Sequence, residues 1–351
     1  MTLTGDCPET GSAPGHRPAG PLRLERVACP LCGARGEAGA RQVGAWRIAR
    51  CSGCGLAYLN PRPAVAELPR LYGADYFTRD ISDAAEDLWR LTPAEETARV
   101  AVQSRRLDLI ERFALRRGRL LDVGCGPGYV LAQARARGWQ VRGRELSEWA
   151  CRYARERLGL DVRPGTIADE TRDDGLYDVI ALYHTLEHLP DPLPALERAR
   201  ALLRPGGRLV IEVPNYGGLD ARMFGDRWEG LRLPYHLTHF EPATLRRLAE
   251  RAGFRVLALE TDLPRPLLEG WVALKASLGR PPTADRCPRT TDHRPQTTNH
   301  ARLLESAGGT GGSISEAAAV GSRRSAVFRR RLRRLAARWL PGRDMTLVAT
   351  T

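Results

Sequence analysis

From residue 119 onward, short apolar runs alternate with longer amphipathic or looped stretches. The runs are Arg119 to Val123, Gln140 to Arg144, Leu160 to Arg163, Tyr177 to Tyr183, Arg208 to Val213 and Phe254 to Thr261. Each has the length and the apolar character of a strand. Strands separated by helices of ten or more residues need right-handed crossovers, so the pattern predicts a parallel sheet covered on both faces, a doubly wound, Rossmann-like α/β fold. Upstream, Val100, Leu107, Ile110 and Leu115 predict a helix from about Ala94 to Leu115. Near the end of the chain, Met345 to Ala349 is a short apolar run expected to rejoin the sheet as a final strand.

The rest of the chain divides by composition. Residues 1–28, rich in Pro, Gly and Thr, are expected to form a disordered leader. Residues 29–63 form a compact cysteine unit closed by Pro61-Arg62-Pro63, and 64–118 a linker and helical cap. The core domain is placed at 119–265. It is followed by an insertion at 266–322, largely disordered from 280, that contains Gly308-Gly309-Thr310-Gly311-Gly312. Residues 323–351 hold a basic helix and the final strand.

Charge first suggests nucleic acid. Of 351 residues, 54 are Lys or Arg and 41 are Asp or Glu, a net charge of +13. Nine Arg and no acid lie between Arg323 and Arg343, which leaves 13 − 9 = +4 for the other 330 residues. Lys275 is the one lysine, a skew that reads as coding bias rather than selection for phosphate. In the basic segment Phe328, Leu332, Leu335 and Trp339 form one helical stripe. Three roles are open to that helix: packing on the core, peripheral contact with an anionic membrane, or RNA binding. With no secretory signal and no 18-residue apolar stretch, a cytoplasmic protein is expected.

Cys29-Pro-Leu-Cys32 and Cys51-Ser-Gly-Cys54 are two C-x-x-C knuckles separated by 18 residues. Four sulfurs so spaced suit tetrahedral zinc, and a shell of four thiolates leaves no open position, so the ion is expected to be structural. Arg41, Arg47 and Arg50 between the knuckles are too few to favour a nucleic-acid ribbon.

Leu120-Leu121-Asp122-Val123-Gly124-Cys125-Gly126-Pro127-Gly128-Tyr129 lies where a strand gives way to a helix, the binding edge of a parallel sheet. Tyr129 occupies the third glycine position of a dinucleotide turn, and Asp122 suits a cationic or hydroxyl-rich ligand better than a diphosphate. Cys125, with no base nearby in sequence, reads as a small residue packed in the turn. Together with Glu145, which ends the second strand, and with Tyr177-Asp-Val-Ile, Leu203-Arg-Pro-Gly-Gly-Arg-Leu-Val and Val213-Pro-Asn, this turn resembles the class I S-adenosylmethionine-dependent methyltransferases. Cys54-Gly-Leu-Ala-Tyr58-Leu-Asn60-Pro-Arg-Pro63 is similar to a bacterial subgroup with an N-terminal zinc-binding segment that includes sugar C-methyltransferases.

The resemblance implies S-adenosylmethionine as cofactor, bound by Asp122, Gly124, Cys125, Gly126 and Gly128. It places Glu145 on the ribose hydroxyls with Leu146 beside it, and Thr166 and Ile167 at the adenine. It also implies His236 as base, His184 close to the reaction centre and Tyr76 closing over the site, with core packing an equal reading for Tyr76. Tyr235 stands where relatives often carry Glu, which leaves the partner of His236 open. His184, Glu187 and His188 form an alternative metal set, while His188 and His239 are equally readable as packing residues. The leading expectation is methyl transfer to a sugar, a nucleotide-linked sugar or another small polar acceptor. An RNA methyltransferase gripping RNA through the ribbon and the Arg helix is one alternative, and a non-catalytic cofactor-fold binding protein is another.

Overall fold

The computed structural model describes residues 21–72, 88–172, 175–262 and 344–351. Tyr76, the insertion from 266 and the basic helix at 323–343 lie outside the described residues. Five short strands open the chain: β1 Leu24–Glu25, β2 Glu37–Val43, β3 Trp46–Cys51, β4 Ala57–Leu59 and β5 Arg62–Pro63. Helices α1 Leu68–Leu71, α2 Pro93–Ala101 and α3 Ser104–Phe113 follow. The alternating part comprises β6 Arg119–Val123, α4 Tyr129–Ala136, β7 Gln140–Glu145, α5 Glu148–Glu156, β8 Val162–Pro164, β9 Tyr177–Tyr183, α6 Pro192–Leu202 and β10 Leu203–Pro214. Then come α7 Leu219–Phe224, β11 Thr238–His239, α8 Pro242–Arg251, β12 Arg255–Thr261 and β13 Asp344–Thr350.

Seven strands form the central sheet in the order β12-β13-β10-β9-β6-β7-β8. From β10 to β8 every pairing is parallel, whereas β13 runs antiparallel between β10 and β12. Successive side chains on a strand point to opposite faces, and the core divides accordingly. Leu121, Ile180, Leu182, Leu209, Ile211 and Leu347 pack with α6 and α8 on one side. Leu120, Val179, Ala181, Val210 and Val348 pack with α3 and α4 on the other. Burial on both faces explains why β9 reads as an unbroken apolar run.

Three differences from the sequence expectations have local causes. The helix expected from 94 to 115 is two helices, because the Ser104 hydroxyl donates to the Ala101 carbonyl (2.7 Å) in competition with the backbone ladder. The expected leader is ordered at its end, where β1 pairs with β5 and Glu25 meets Arg62 at 3.0 Å. The cysteine unit is not a separate ribbon: its sheet has the order β11-β4-β3-β2, and β11 comes from beyond residue 237. Among the described residues no helix is long and apolar enough to cross a membrane.

Leu347 is fully buried and paired in register with Ile211 and Leu259. Leu347→Ala should lower unfolding stability by about 3 kcal/mol, measured by denaturant titration.

Candidate functional site

Strands β6, β7, β9 and β10 are parallel, so their carboxyl ends open on one edge of the sheet. At that edge Gly124, Gly126 and Gly128 all have positive φ (70°, 54° and 87°). A Cβ on Gly124 would meet Thr185 Oγ1 at 2.5 Å and Cγ2 at 2.7 Å, so the turn admits no side chain there. Thr185 in turn donates to the Val123 carbonyl (2.9 Å), which locks the end of β6 to the loop after β9.

Glu145 ends β7 and is buried. Its Oε2 accepts from the Gly126 N–H (2.9 Å) and its Oε1 from the Ser147 N–H (2.8 Å). Each oxygen keeps acceptor capacity for a hydroxyl. Burial raises its pKa against the pull of these N–H groups. Leu146 beside it is 55% exposed, an apolar side chain held at the mouth of the edge. Thr166 caps the turn that carries buried Ile167: its hydroxyl accepts from the Ala168 N–H (3.2 Å), and Asp169 accepts from the Thr166 N–H (2.7 Å). Asp122 is 1% exposed and its Oδ1 has no hydrogen-bond partner. Burial pushes this carboxyl up to about 7, opposed by Arg106 and reinforced by Glu145. A buried carboxylate with an orphaned oxygen, a cradle without side chains and a dihydroxyl acceptor fit S-adenosylmethionine, which carries a sulfonium, an amine and a ribose. Burial also raises the Cys125 thiol well above its ordinary range, in keeping with packing rather than nucleophilic chemistry.

The histidines occupy the loops after β9 and β10. His184 has φ 51°, held by its N–H donating to the Glu212 carbonyl (2.8 Å). Its Nδ1 lies 3.4 Å from Glu187 Oε1 and its Nε2 3.2 Å from Glu212 Oε1. Burial opposes a charge on this ring, yet the two carboxylates outweigh it and push the pKa up to about 10. Glu212 is held well below its ordinary value by His184 and Arg106 despite burial. His236 is buried, its Nδ1–H donating to the Gly230 carbonyl (2.8 Å) and its Nε2 4.0 Å from Glu187 Oε1. Burial, then the neighbouring His188 and His239, holds its pKa well below the usual range.

His188 packs edge-on to His236 with ring centroids 4.6 Å apart, and its Nδ1 lies 2.9 Å from the Tyr72 hydroxyl and 3.1 Å from the Tyr235 carbonyl. Glu187, His188 and His236 present ligand atoms within 4.8 Å of one another. This convergent set has His236 where the sequence reading has His184, because His184 Nε2 is turned to Glu212. His239 lies in β11 beside Tyr216, with burial lowering its pKa to about 3, as a packing residue would have it.

Cys29, Cys32, Cys51 and Cys54 also converge, with Cys29 and Cys54 sulfurs 3.5 Å apart and Cys32 and Cys51 sulfurs 3.4 Å apart. Around a tetrahedral zinc at its usual bond length sulfurs sit about 3.8 Å apart, so the set fits that ion with small adjustment. Burial opposes ionisation of Cys51, but the Cys54 and Gly53 N–H groups and the adjacent thiols bring it down to about 7. Arg41, Arg47 and Arg50 between the knuckles are engaged by Asp226, Glu37 and Glu241.

Sequence reasoning missed Glu212, Arg106, Thr185 and Tyr72. A signal existed for Glu212, the one charge in Leu209-Val-Ile-Glu212-Val on a strand buried on both faces. Arg106 and Tyr72 carry no local signal, since only the packing of α1 and α3 brings them to the edge.

Gly124→Ala should weaken S-adenosylmethionine binding tenfold or more by calorimetry, whereas Gly39→Ala, with open space at its Cβ, should leave it unchanged. The pKa of His184 is raised from an unfolded value of about 6.5 to about 10, so its stabilising contribution is complete below pH 6.5 and lost as pH rises through 10. The stability advantage of the wild type over His184→Gln, followed as unfolding midpoint against pH, should therefore shrink between pH 6.5 and 10.

A family model described as a methyltransferase domain matches residues 94–259. A ubiquinone biosynthesis O-methyltransferase of Marinobacter nauticus is 34% identical over 113 residues, covering 30% of this chain and 48% of that protein. The protein of the same name from Coxiella burnetii is 29% identical over 189 residues, covering 50% and 80%. The chain thus spans about half the length of the first relative and four-fifths of the second. Among solved structures, an S-adenosylmethionine-dependent methyltransferase from Archaeoglobus fulgidus is 19% identical, with 72% of this chain and 94% of that one covered and a TM-score of 0.45. The family match and the curated relatives agree with the glycine turn at the sheet edge, and residues 94–259 are a methyltransferase domain of the S-adenosylmethionine-dependent kind.

Proposed function

We propose that the chain methylates a small polar acceptor, a sugar or nucleotide-linked sugar, at an O–H or acidic C–H, with the neutral imidazole of His236 taking the proton. Bound S-adenosylmethionine supplies the electrophilic methyl. The state of His236 carries the reading. Its Nδ1–H is committed to the Gly230 carbonyl, so the lone pair sits on Nε2, and its depressed pKa keeps the ring in the basic form at neutral pH. Glu187 is buried, its Oε1 lying 3.4 Å from His184 Nδ1 and 4.0 Å from His236 Nε2. That carboxylate stabilises the imidazolium formed when the proton moves. The orienting role left open by Tyr235 falls to the Gly230 carbonyl on Nδ1. His184 takes a different part: with its pKa near 10 it is cationic at pH 7, and its two N–H groups face Glu187 and Glu212, so it holds those carboxylates in place rather than taking a proton.

The four cysteines hold a structural zinc in this reading, their shell being closed to water and substrate. The names of the curated relatives, O-methyltransferases of ubiquinone biosynthesis, support a small-molecule acceptor over a polynucleotide. So does the engagement of Arg41, Arg47 and Arg50 by carboxylates, which leaves the knuckles little free charge for phosphate.

His236→Ala should lower turnover roughly 10²- to 10⁴-fold while S-adenosylmethionine affinity stays within about threefold, scored by labelled methyl transfer to a panel of nucleotide sugars. Undiminished turnover removes His236 from the mechanism. Because the ring is already neutral, the wild-type kcat with S-adenosylmethionine saturating, which removes the titration of Asp122 in the empty cofactor site, should show no ionisation limb near pH 6.5.

A further inference from the structure

We infer that the cysteine module is the positioning element of the acceptor side of the active site, so that metal held by the four thiolates orders the segment carrying His236 without being needed for cofactor binding. The inference rests on the proposed roles of His236 and the four-cysteine site, and it starts from the way the two sheets share the chain.

The acceptor-side segments are tied to the module at several points. Strand β11, two residues after His236, is the edge strand of the module's own sheet, with Thr238 opposite Tyr58 and His239 opposite Ala57. The Leu59 N–H donates to the Leu237 carbonyl (2.9 Å), and the Leu237 N–H donates onward to the Glu187 carbonyl (2.8 Å). The residues flanking His236 are thus strung between β4 and the turn that carries Glu187 and His188. Strand β4 begins three residues after Cys54, and the Cys51 N–H donates to the Leu56 carbonyl (2.9 Å), so the second knuckle sets where β4 starts. Arg50, next to Cys51, reaches Gly55 O (2.9 Å) on the knuckle and Glu241 (2.6 Å) just beyond β11. Arg62 donates to the Pro190 carbonyl (2.6 Å), and Arg251 of α8 to the Leu31 carbonyl (2.8 Å) on the first knuckle.

Cofactor-side groups are anchored by the parallel sheet. The Gly124 N–H donates to the Arg144 carbonyl (2.7 Å), the Gly126 N–H to the Glu145 carboxylate (2.9 Å) and the Gly165 N–H to the Glu145 carbonyl (3.0 Å). One knuckle in a loop and one that starts at the last residue of β3, with short strands of two to seven residues around them, have little regular structure to hold them once the cross-link is gone. Loss of the metal should therefore loosen β4 and β11 and leave the glycine turn in place.

The test is amide hydrogen exchange on the full chain, as purified and after zinc is stripped with a chelator under reducing conditions, with metal content by elemental analysis and cofactor affinity by calorimetry. Exchange in peptides spanning 232–241 should accelerate tenfold or more, while peptides from β6 and β7 and the affinity for S-adenosylmethionine change less than threefold. Unaltered exchange at 232–241 with the zinc gone overturns the coupling. Acceleration throughout, with cofactor binding lost, overturns the separation of the two sides. Less than one zinc per chain as purified overturns the four-thiolate reading and leaves the strand coupling to the Arg50 variants. Arg50→Met should accelerate exchange at 236–241 severalfold and Arg50→Lys less; equal rates in both and in the wild type overturn the coupling.

Discussion

Everything at the site depends on the parallel pairing of β6 with β7 on one side and β9 on the other. Parallel strands end at the same edge, so Asp122, Glu145 and His184, far apart in sequence, become neighbours at one opening. The glycine turn can approach this edge only because Gly124 has no side chain, with Thr185 filling the space a Cβ would need. Backbone hydrogen bonds then set Glu145, which is oriented by the Gly126 and Ser147 N–H groups rather than by a cation.

A second constraint is the disposition of charge. Four carboxylates, Asp122, Glu145, Glu187 and Glu212, are crowded at the same edge, and among the described residues the cations that meet them are His184 and Arg106. His184 and Arg106 both settle on Glu212, which is therefore fully ionised, while Asp122 keeps an orphaned oxygen and an elevated pKa. Two histidines of similar sequence context are thereby driven apart: His184 between carboxylates is cationic, and His236 under a carbonyl in a dry setting is neutral. Opposite shifts of this kind come from environment and not from residue type.

The arginine-rich composition has a structural outlet as well. Arg41, Arg47, Arg50, Arg62, Arg106 and Arg144 meet carboxylates across element boundaries. The most buried of these, Arg144 with Glu170, also receives the Tyr177 hydroxyl on the carboxylate, so the paired charges are hydrogen-bonded as burial demands. A formal excess of cations thus translates into stitching between layers, and the unbalanced remainder is concentrated at 323–343.

Local pattern alone determined the strand and helix alternation, the glycine turn at the end of β6 and the paired cysteine knuckles. Each of these is encoded by neighbours in sequence: apolar runs, glycines that permit positive φ, and spacings that close around one ligand. Tertiary structure decided the rest. Only folding carries Thr238 and His239 into the sheet of residues 37–59, and only packing brings Arg106 and Tyr72 to the edge where the parallel strands end. The protonation states of His184 and His236 likewise depend on groups that are distant in the chain or on the degree of burial. A single sequence shows which side chains can titrate; the folded arrangement of carboxylates and carbonyls around them sets which ones carry a proton.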